Sequence, residues 1–109
     1  MNDERREYFR IRYPSVEQPE LELGDDRFDV AELSEGGLRV LGDFGEIESG
    51  HPVEAVLRLL CGSNLQVTAS FSRIEDGEAV FEKLQGVSFA EMMNEQRYLI
   101  RKYPSVKDE

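Results

Sequence analysis

The segment from Arg5 to Arg10 concentrates groups that suit the binding of an anion. Arg6 and Arg10 are four positions apart, and Arg5 adds a third guanidinium. This spacing places both side chains on one side of the chain, whether the segment is extended or makes a helical turn. Guanidinium groups donate forked hydrogen bonds to phosphate oxygens or to the O6 and N7 edge of guanine, and their planes stack on bases. The segment is therefore suited to a small nucleotide-like anion.

A second group of polar residues follows further along the chain. Glu32 and Ser34 are two positions apart, so they share one face if the segment is a strand, and Gly36 and Gly37 follow where the backbone must bend. A serine hydroxyl donates to an oxygen, a carboxylate accepts from guanine N–H groups, and a glycine lets the backbone pass close to a ligand. Each segment alone has an ordinary explanation, namely a solvated N-terminus with charges of both signs and a hairpin turn.

Together the two segments resemble the signature of PilZ domains, the bacterial receptors for cyclic di-GMP. That signature is Arg-x-x-x-Arg followed by (Asp or Asn)-x-Ser-x-x-Gly. Arg6 and Arg10 match its first part, and Ser34 and Gly37 match its second part. Glu32 departs from the signature because it stands where the family has Asp or Asn. The resemblance implies cyclic di-GMP as the ligand, no cofactor, and this set of ligand-binding residues: Arg5, Arg6, Arg10, Glu32, Ser34 and Gly37.

The resemblance also implies a fold and a role. The fold is an all-β, small antiparallel β-barrel of the PilZ split-barrel type with a C-terminal α-helix. The implied role is that of a non-enzymatic receptor in second-messenger signalling, which passes a ligand-induced conformational change to an unknown protein partner. A competing hypothesis retains the fold but not the ligand. In it the protein is an interaction adaptor, and Glu32 reflects a lost or weakened nucleotide site.

Length and composition favour one soluble domain. A chain of 109 residues has room for one modest core, so we expect a single domain over residues 1–109, with residues 1–10 as a flexible arm that carries the arginines. No apolar run approaches membrane length, so membrane insertion is not expected. The N-terminus lacks the apolar stretch of a secretory signal, and the single Cys61 cannot form an internal disulfide. Both observations favour the cytoplasm, which the resemblance implies is bacterial, and we expect Cys61 to be a small buried apolar residue.

The net charge of −10 argues against DNA or RNA binding, because nonspecific affinity for a phosphate backbone requires an excess of Lys and Arg. An anionic lipid surface is disfavoured for the same reason. The first twelve residues nevertheless carry four arginines and three acids. We therefore expect a local positive site for a small dianion within an acidic protein.

Nothing in the residue pattern supports catalysis or metal binding. His51 and Cys61 are the single histidine and the single cysteine, which leaves no metal quartet and no convincing pair of nucleophile and base. There is no phosphate loop of the Walker or dinucleotide type. Asp25, Asp26 and Asp29 lack the spacing of a calcium loop and are better explained as a turn. We expect neither enzymatic activity nor a metal site.

The elements that must position the candidate residues are predicted by alternation. Residues 9–13 alternate apolar and basic, so Arg10 and Arg12 should share the outer face of a strand. In residues 28–34 the same pattern puts Phe28 and Val30 on one face with Glu32 and Ser34. Asp76-Gly77 predicts a hairpin turn, and regularly spaced antiparallel strands favour a barrel over a βαβ fold. The other predicted strands are residues 21–23, 38–41, 53–60, 65–71, 72–74, 79–81 and a closing strand at 86–89.

The pattern becomes helical after Phe89, and we predict a C-terminal helix over residues 91–103. Its apolar stripe is formed by Met92, Met93, Gln96, Leu99, Ile100 and Tyr103. Glu91 and Glu95 lie early, where the helix dipole favours acids, and Pro104 stops the helix. Packing of this stripe on the barrel is the main interpretation. A partner-binding or dimerising helix is the alternative, and it leaves both a monomer and a homodimer open.

Overall fold

Seven strands and one helix make up the residues that the computed structural model describes, which are 10–44 and 47–104. Every paired strand is antiparallel to its neighbours. The elements are β1 (Arg10–Arg12), β2 (Glu20–Leu23), β3 (Asp26–Ser34), β4 (Gly37–Leu41), β5 (Pro52–Arg58), β6 (Asn64–Glu75), β7 (Glu78–Gln85) and α1 (Phe89–Lys102). The predicted all-β class with a C-terminal helix is confirmed.

Strands β2 to β7 close into a barrel. The order runs β3, β2, β5, β6, β7, β4, and a further pairing of β4 with β3 completes the ring. Strand β1 is added outside this ring and pairs with residues 32–34 of β3, beyond the residues 26–29 that pair with β2. The hairpin predicted at Asp76-Gly77 and the hairpin that joins β5 to β6 share the long strand β6, which runs without interruption from Asn64 to Glu75. Short turns connect the pairs that follow each other in sequence, whereas the pairings of β2 with β5 and of β4 with β7 join segments that are distant in the chain.

Alternate side chains of the strands fill the barrel. Leu57 is fully buried, and four phenylalanine rings form a continuous chain in the same core. The ring of Phe44 packs on Phe28 with centroids 4.4 Å apart, and Phe81 links Phe44 to Phe71 at 5.5 and 5.6 Å. Edge-to-face rings at such distances add to the burial of apolar area. Phe44 is buried, so it attaches the loop after β4 to the core.

A β-bulge in β3 corrects the predicted assignment of faces. Val30 and Glu32 pair with consecutive residues of β4, so Ala31 is an extra residue on β3. Such a bulge interrupts the alternation of side chains. As a result Val30 and Leu33 are both fully buried, and the prediction that Val30 shares a face with Glu32 is wrong. Glu32 and Ser34 lie beyond the bulge and share the outer face, as predicted.

Helix α1 begins earlier than predicted, and the closing strand at residues 86–89 is wrong. Strand β7 ends at Gln85, and Ser88 is the N-cap of a helix whose first residue is Phe89. The hydroxyl of Ser88 accepts from the amide of Glu91 at 3.2 Å, and the Glu91 carboxylate accepts from the Ser88 amide at 3.0 Å. This reciprocal capping box satisfies two amides at the helix start. The hydrogen bonds of the capping box therefore outweigh the apolar alternation that suggested a strand, and a helix starts at Phe89.

The side of α1 that faces the barrel includes a buried carboxylate. Met92 is buried, as the apolar stripe predicted, but Glu95 is fully buried too, although we expected it to act on the helix dipole. It accepts hydrogen bonds from the hydroxyl of Tyr13 at 2.7 Å and from the amides of Leu60 and Cys61 at 3.0 and 2.9 Å. A buried carboxylate is costly unless it is hydrogen-bonded, so these three donors explain how the helix tolerates it.

The loop between β1 and β2 is bound to the C-terminal half of α1. Glu17 accepts hydrogen bonds from the hydroxyls of Tyr98 and Tyr103 at 2.6 and 2.8 Å, and it pairs with the ammonium of Lys102 at 2.9 Å. The bond from Tyr98, followed by those from Lys102 and Tyr103, lowers the pKa of Glu17 to about 2. The segment that follows β1 is thus attached to α1 at two places, through Tyr13 and through Glu17.

Candidate ligand-binding site

The register of β1 on β3 places the predicted binding residues face to face. Arg10 lies opposite Ser34, and Arg12 lies opposite Glu32. Cross-strand neighbours of this kind have Cβ atoms about 4.5–5.5 Å apart, so their side chains meet on the same face of the sheet. The fold thereby brings together two segments that are separated in the sequence by a loop and a hairpin.

These residues line a cleft of about 490 Å³ on the outer surface of the barrel. Four members of the predicted set lie in it, and Arg5 and Arg6 fall outside the described residues. Those four are Arg10, Glu32, Ser34 and Gly37. Charged residues that the motif did not include also line the cleft, contributed by β1, β4, β6, β7 and the turn before β7. They are Arg12, Arg39, Arg73, Asp76, Glu78 and Glu82.

Glu32 uses its length to reach β1. Its side chain is only 16% exposed, and its two carboxylate oxygens each lie 3.4 Å from a guanidinium nitrogen, one of Arg10 and one of Arg12. The extra methylene relative to aspartate thus carries the carboxylate between two arginines of the neighbouring strand. The residue that departs from the motif is turned toward the arginines rather than away from them.

Ser34 and Gly37 close the turn between β3 and β4. The hydroxyl of Ser34 donates to the carbonyl oxygen of Gly37 at 3.2 Å. This hydrogen bond within the turn explains why the two residues are three positions apart. A Cβ at Gly37 would overlap the carbonyl oxygen of Phe81 on β7. We expected Gly37 to let a ligand approach the backbone. The structure supplies another reason for glycine, because β4 and β7 approach closely there.

Glu78 is the central residue of the cleft, and the sequence carried no sign of it. Its side chain is 10% exposed. Both guanidinium Nη atoms of Arg12 donate to its carboxylate, at 3.1 and 2.7 Å, and Arg39 donates to it at 3.3 Å. The hydrogen bonds from Arg12, with a smaller contribution from Arg39, hold the pKa of the Glu78 carboxyl below its ordinary value. Glu78 and Arg39 belong to no local motif, since only the pairing of β4 with β7 brings them to the cleft.

Among the described residues, ion pairs link eight charged side chains across this surface. Arginine and glutamate alternate along the chain of contacts, so four guanidinium groups meet four carboxylates. In order they are Arg10, Glu32, Arg12, Glu78, Arg39, Glu75, Arg73 and Glu82. The expected local positive site is therefore absent from the described part of the cleft, where charge is balanced. An anion that binds there must compete with carboxylates for the guanidinium groups.

The family model of the PilZ domain matches residues 4–103. The protein belongs to the PilZ family. The match covers the described part of the cleft as well as Arg5 and Arg6, and it confirms the resemblance drawn from the motif. PilZ domains are binding and adaptor domains, and no catalytic family is indicated.

Solved structures share the fold of this PilZ domain. The Bacillus subtilis inhibitor of motility, MotI/DgrA, aligns over 94% of this chain and 53% of its own, with a TM-score of 0.65 and 18% identity. A Legionella uncharacterized protein aligns over 93% and 99% of the two chains, with a TM-score of 0.54 and 16% identity. The chain thus spans about half the length of MotI/DgrA. No curated protein matches the sequence.

Other groups considered in the sequence lie away from the cleft. His51 is exposed, and Cys61 is half-buried rather than buried as predicted, although burial still raises the pKa of its thiol. Across residues 10–44 and 47–104, no three His, Cys, Asp or Glu side chains are grouped to hold a metal ion. No helix in these ranges has the length and apolar character to cross a membrane.

Proposed function

We propose that this PilZ domain is a receptor for cyclic di-GMP that signals to a protein partner through a ligand-induced conformational change. One observation carries the proposal: among the described residues, Arg10 of the first part of the motif lies opposite Ser34 of the second part, in one cleft with Gly37. The proposal implies a bacterial cytoplasmic protein, because cyclic di-GMP is a bacterial second messenger.

The chemistry of the cleft supports specific roles in binding. The side chain of Arg10 is 67% exposed, so it is able to pair with a phosphate of the ligand or to stack on a guanine. Arg5 and Arg6 are proposed to add guanidinium groups, as the motif implies. Ser34 retains an oxygen lone pair for the ligand while it donates to the turn. Glu32 is proposed to accept from the N–H groups of a guanine.

The attachments of β1 support a route from the cleft to the helix. Tyr13 follows Arg12 directly and bonds to Glu95 inside the interface, and Glu17 bonds to Tyr98, Tyr103 and Lys102 near the end of the helix. A shift of β1 on ligand binding would therefore act on α1 through both contacts. We propose α1 as the element that presents the signal to the partner.

Calorimetric titration with cyclic di-GMP tests the receptor proposal, and Arg10→Ala is the informative variant. Loss of a charge-assisted hydrogen bond should weaken binding by about 1–3 kcal/mol, with little change in melting temperature because the side chain is exposed. Arg58→Ala is the matched control, since Arg58 is a 40% exposed arginine paired with Glu22 outside the cleft. It should bind the ligand as the wild type does. An Arg10→Ala variant that unfolds would assign Arg10 a structural role.

Backbone amide signals provide a second readout. Signals of residues 5–10 should shift on titration, because guanidinium groups gain charge-assisted partners when the anion arrives. Unchanged spectra and an unchanged melting temperature at saturating cyclic di-GMP, with the protein folded, would exclude the receptor proposal.

That negative result would favour the second candidate function, a PilZ-fold interaction adaptor with a lost or weakened nucleotide site. The balanced charge of the cleft favours this alternative. Glu32 and Glu78 occupy the guanidinium groups of Arg10, Arg12 and Arg39 in the described residues.

A further inference from the structure

The contact between Glu78 and two arginines resembles the binding of a phosphate. Arg12 presents both Nη atoms to the two carboxylate oxygens, at 3.1 and 2.7 Å, and Arg39 adds a third donor at 3.3 Å. Carboxylate and phosphate offer the same pair of oxygens to a guanidinium fork. Glu78 therefore fills an anion site that is already assembled in the cleft.

We infer that Arg12 and Arg39 bind a phosphate of the ligand, and that Glu78 occupies both guanidinium groups until the ligand displaces it. The inference rests on the proposed function. It adds that the carboxylate of Glu78, an anion of the protein itself, competes with the ligand for the same site. Arg12 is 51% exposed, and Arg39 and Arg12 both line the cleft with Arg10. A phosphodiester held by Arg10 thus lies beside two further guanidinium groups that Glu78 holds.

Glu78 is a stronger competitor than Glu32. Its contacts with Arg12 form a two-bond fork, whereas each contact of Glu32 with an arginine measures 3.4 Å. Glu78 is also the less exposed of the two, at 10% against 16%. Displacing it leaves a poorly solvated carboxylate near the phosphate, which costs free energy. Occupation of the arginines by Glu78 should therefore raise the Kd for cyclic di-GMP.

Removal of the charge on Glu78 tests the inference. Glu78→Gln keeps the shape of the side chain and should lower the Kd for cyclic di-GMP about tenfold, because the ligand no longer competes with a carboxylate. Glu22→Gln is the matched control: it removes a carboxylate from the Glu22–Arg58 pair elsewhere on the barrel and changes the net charge equally. Its Kd should equal that of the wild type. All titrations are made at one salt concentration, since exposed charges are screened by salt.

A double-mutant cycle tests whether the tighter binding depends on the guanidinium group of Arg12. If Arg12 binds the phosphate once Glu78 no longer occupies it, the gain from Glu78→Gln should be lost when Arg12→Ala is also present. A gain that persists without Arg12 would overturn the assignment of Arg12.

The outcomes separate the inference from the proposed function. Wild-type binding combined with equal or weaker binding by Glu78→Gln overturns the inference and leaves the receptor proposal standing, because Glu78 then positions the arginines. Binding of cyclic di-GMP by the Glu78→Gln variant, with no binding by the wild type, supports the inference. No binding by either folded protein overturns both.

A measurement on the wild type covers the case in which Glu78→Gln does not fold. The carboxyl carbon signal of Glu78 should move during titration with cyclic di-GMP as the carboxylate loses Arg12, and that of Glu22 should stay in place. A stationary Glu78 signal at saturation would overturn the inference.

Discussion

Glu32 shows at the scale of one residue how a departure from a motif is accommodated. The longer side chain reaches Arg10 and Arg12 on the neighbouring strand instead of folding back. Its charge then lies where ligand phosphates are proposed to bind, and this should reduce affinity.

We expect Glu32→Asp and Glu32→Asn to tighten binding of cyclic di-GMP. Aspartate withdraws the carboxylate from the arginines, and asparagine also removes the charge that repels phosphate. Both keep the residue on the outer face of β3. Calorimetry at one ionic strength compares them with the wild type, with Glu22→Gln as the control for net charge. Equal or weaker binding by both variants would mean that Glu32 is already well accommodated.

The predictability of the site differs from residue to residue. Arg10, Ser34 and Gly37 line one cleft, because each part of the motif is local in sequence and the register of β1 on β3 sets Arg10 opposite Ser34, and their contact with a ligand stays a prediction. Glu78 and Arg39 were not found, because their proximity depends on which strands close the barrel. Such contacts between distant segments leave no spacing signal in a single sequence.

At the scale of the elements, the attachment of the loop after β1 to α1 has a pH dependence. The folded-state pKa of Glu17 is about 2, below its ordinary value of 4.5. Between these values the unfolded chain binds more protons, so the stability from this contact is complete above pH 4.5 and is lost as the pH falls toward 2.

Glu17→Gln should therefore reduce the dependence of stability on pH in this acid range. Urea unfolding at a series of pH values measures the free energy of unfolding of both proteins. Tyr98→Phe removes the largest contributor to the lowered pKa and should give an intermediate dependence. Parallel curves for the wild type and Glu17→Gln would show that the contact contributes nothing to stability.

Alternation and turn residues were sufficient to predict most elements, and the errors have local causes. The Asp76-Gly77 turn is present, with positive φ angles of 54° and 78° at its two residues. Regular alternation cannot indicate a bulge, so the faces of β3 before Ala31 were assigned incorrectly. The capping box of Ser88 and Glu91 was overlooked because residues 86–89 also fit a strand.

At the scale of the whole molecule, the barrel core and the cleft should respond separately to substitution. Leu57 is fully buried on β5, a strand that does not line the cleft. Leu57→Ala should destabilise the fold by about 2–5 kcal/mol because it leaves a cavity. Thermal unfolding should show a lower melting temperature, and the Kd for cyclic di-GMP of the folded fraction should be unchanged. Val16→Ala is the control, since Val16 is 77% exposed and should leave the melting temperature unchanged.

The position of β1 outside the closed ring has a consequence for local opening. Strands β2 to β7 complete the barrel by themselves, and β1 is three residues long and pairs with β3. Detachment of β1 leaves the pairing of the ring intact, at the cost of uncovering Ile11 and breaking the bond from Tyr13 to Glu95. Amides such as that of Tyr13, which donates to Ala31 at 2.9 Å, would exchange with solvent through this sub-global event. A ligand held by Arg10 would suppress that detachment by mass action, so it would protect β1 from exchange without strengthening the barrel itself.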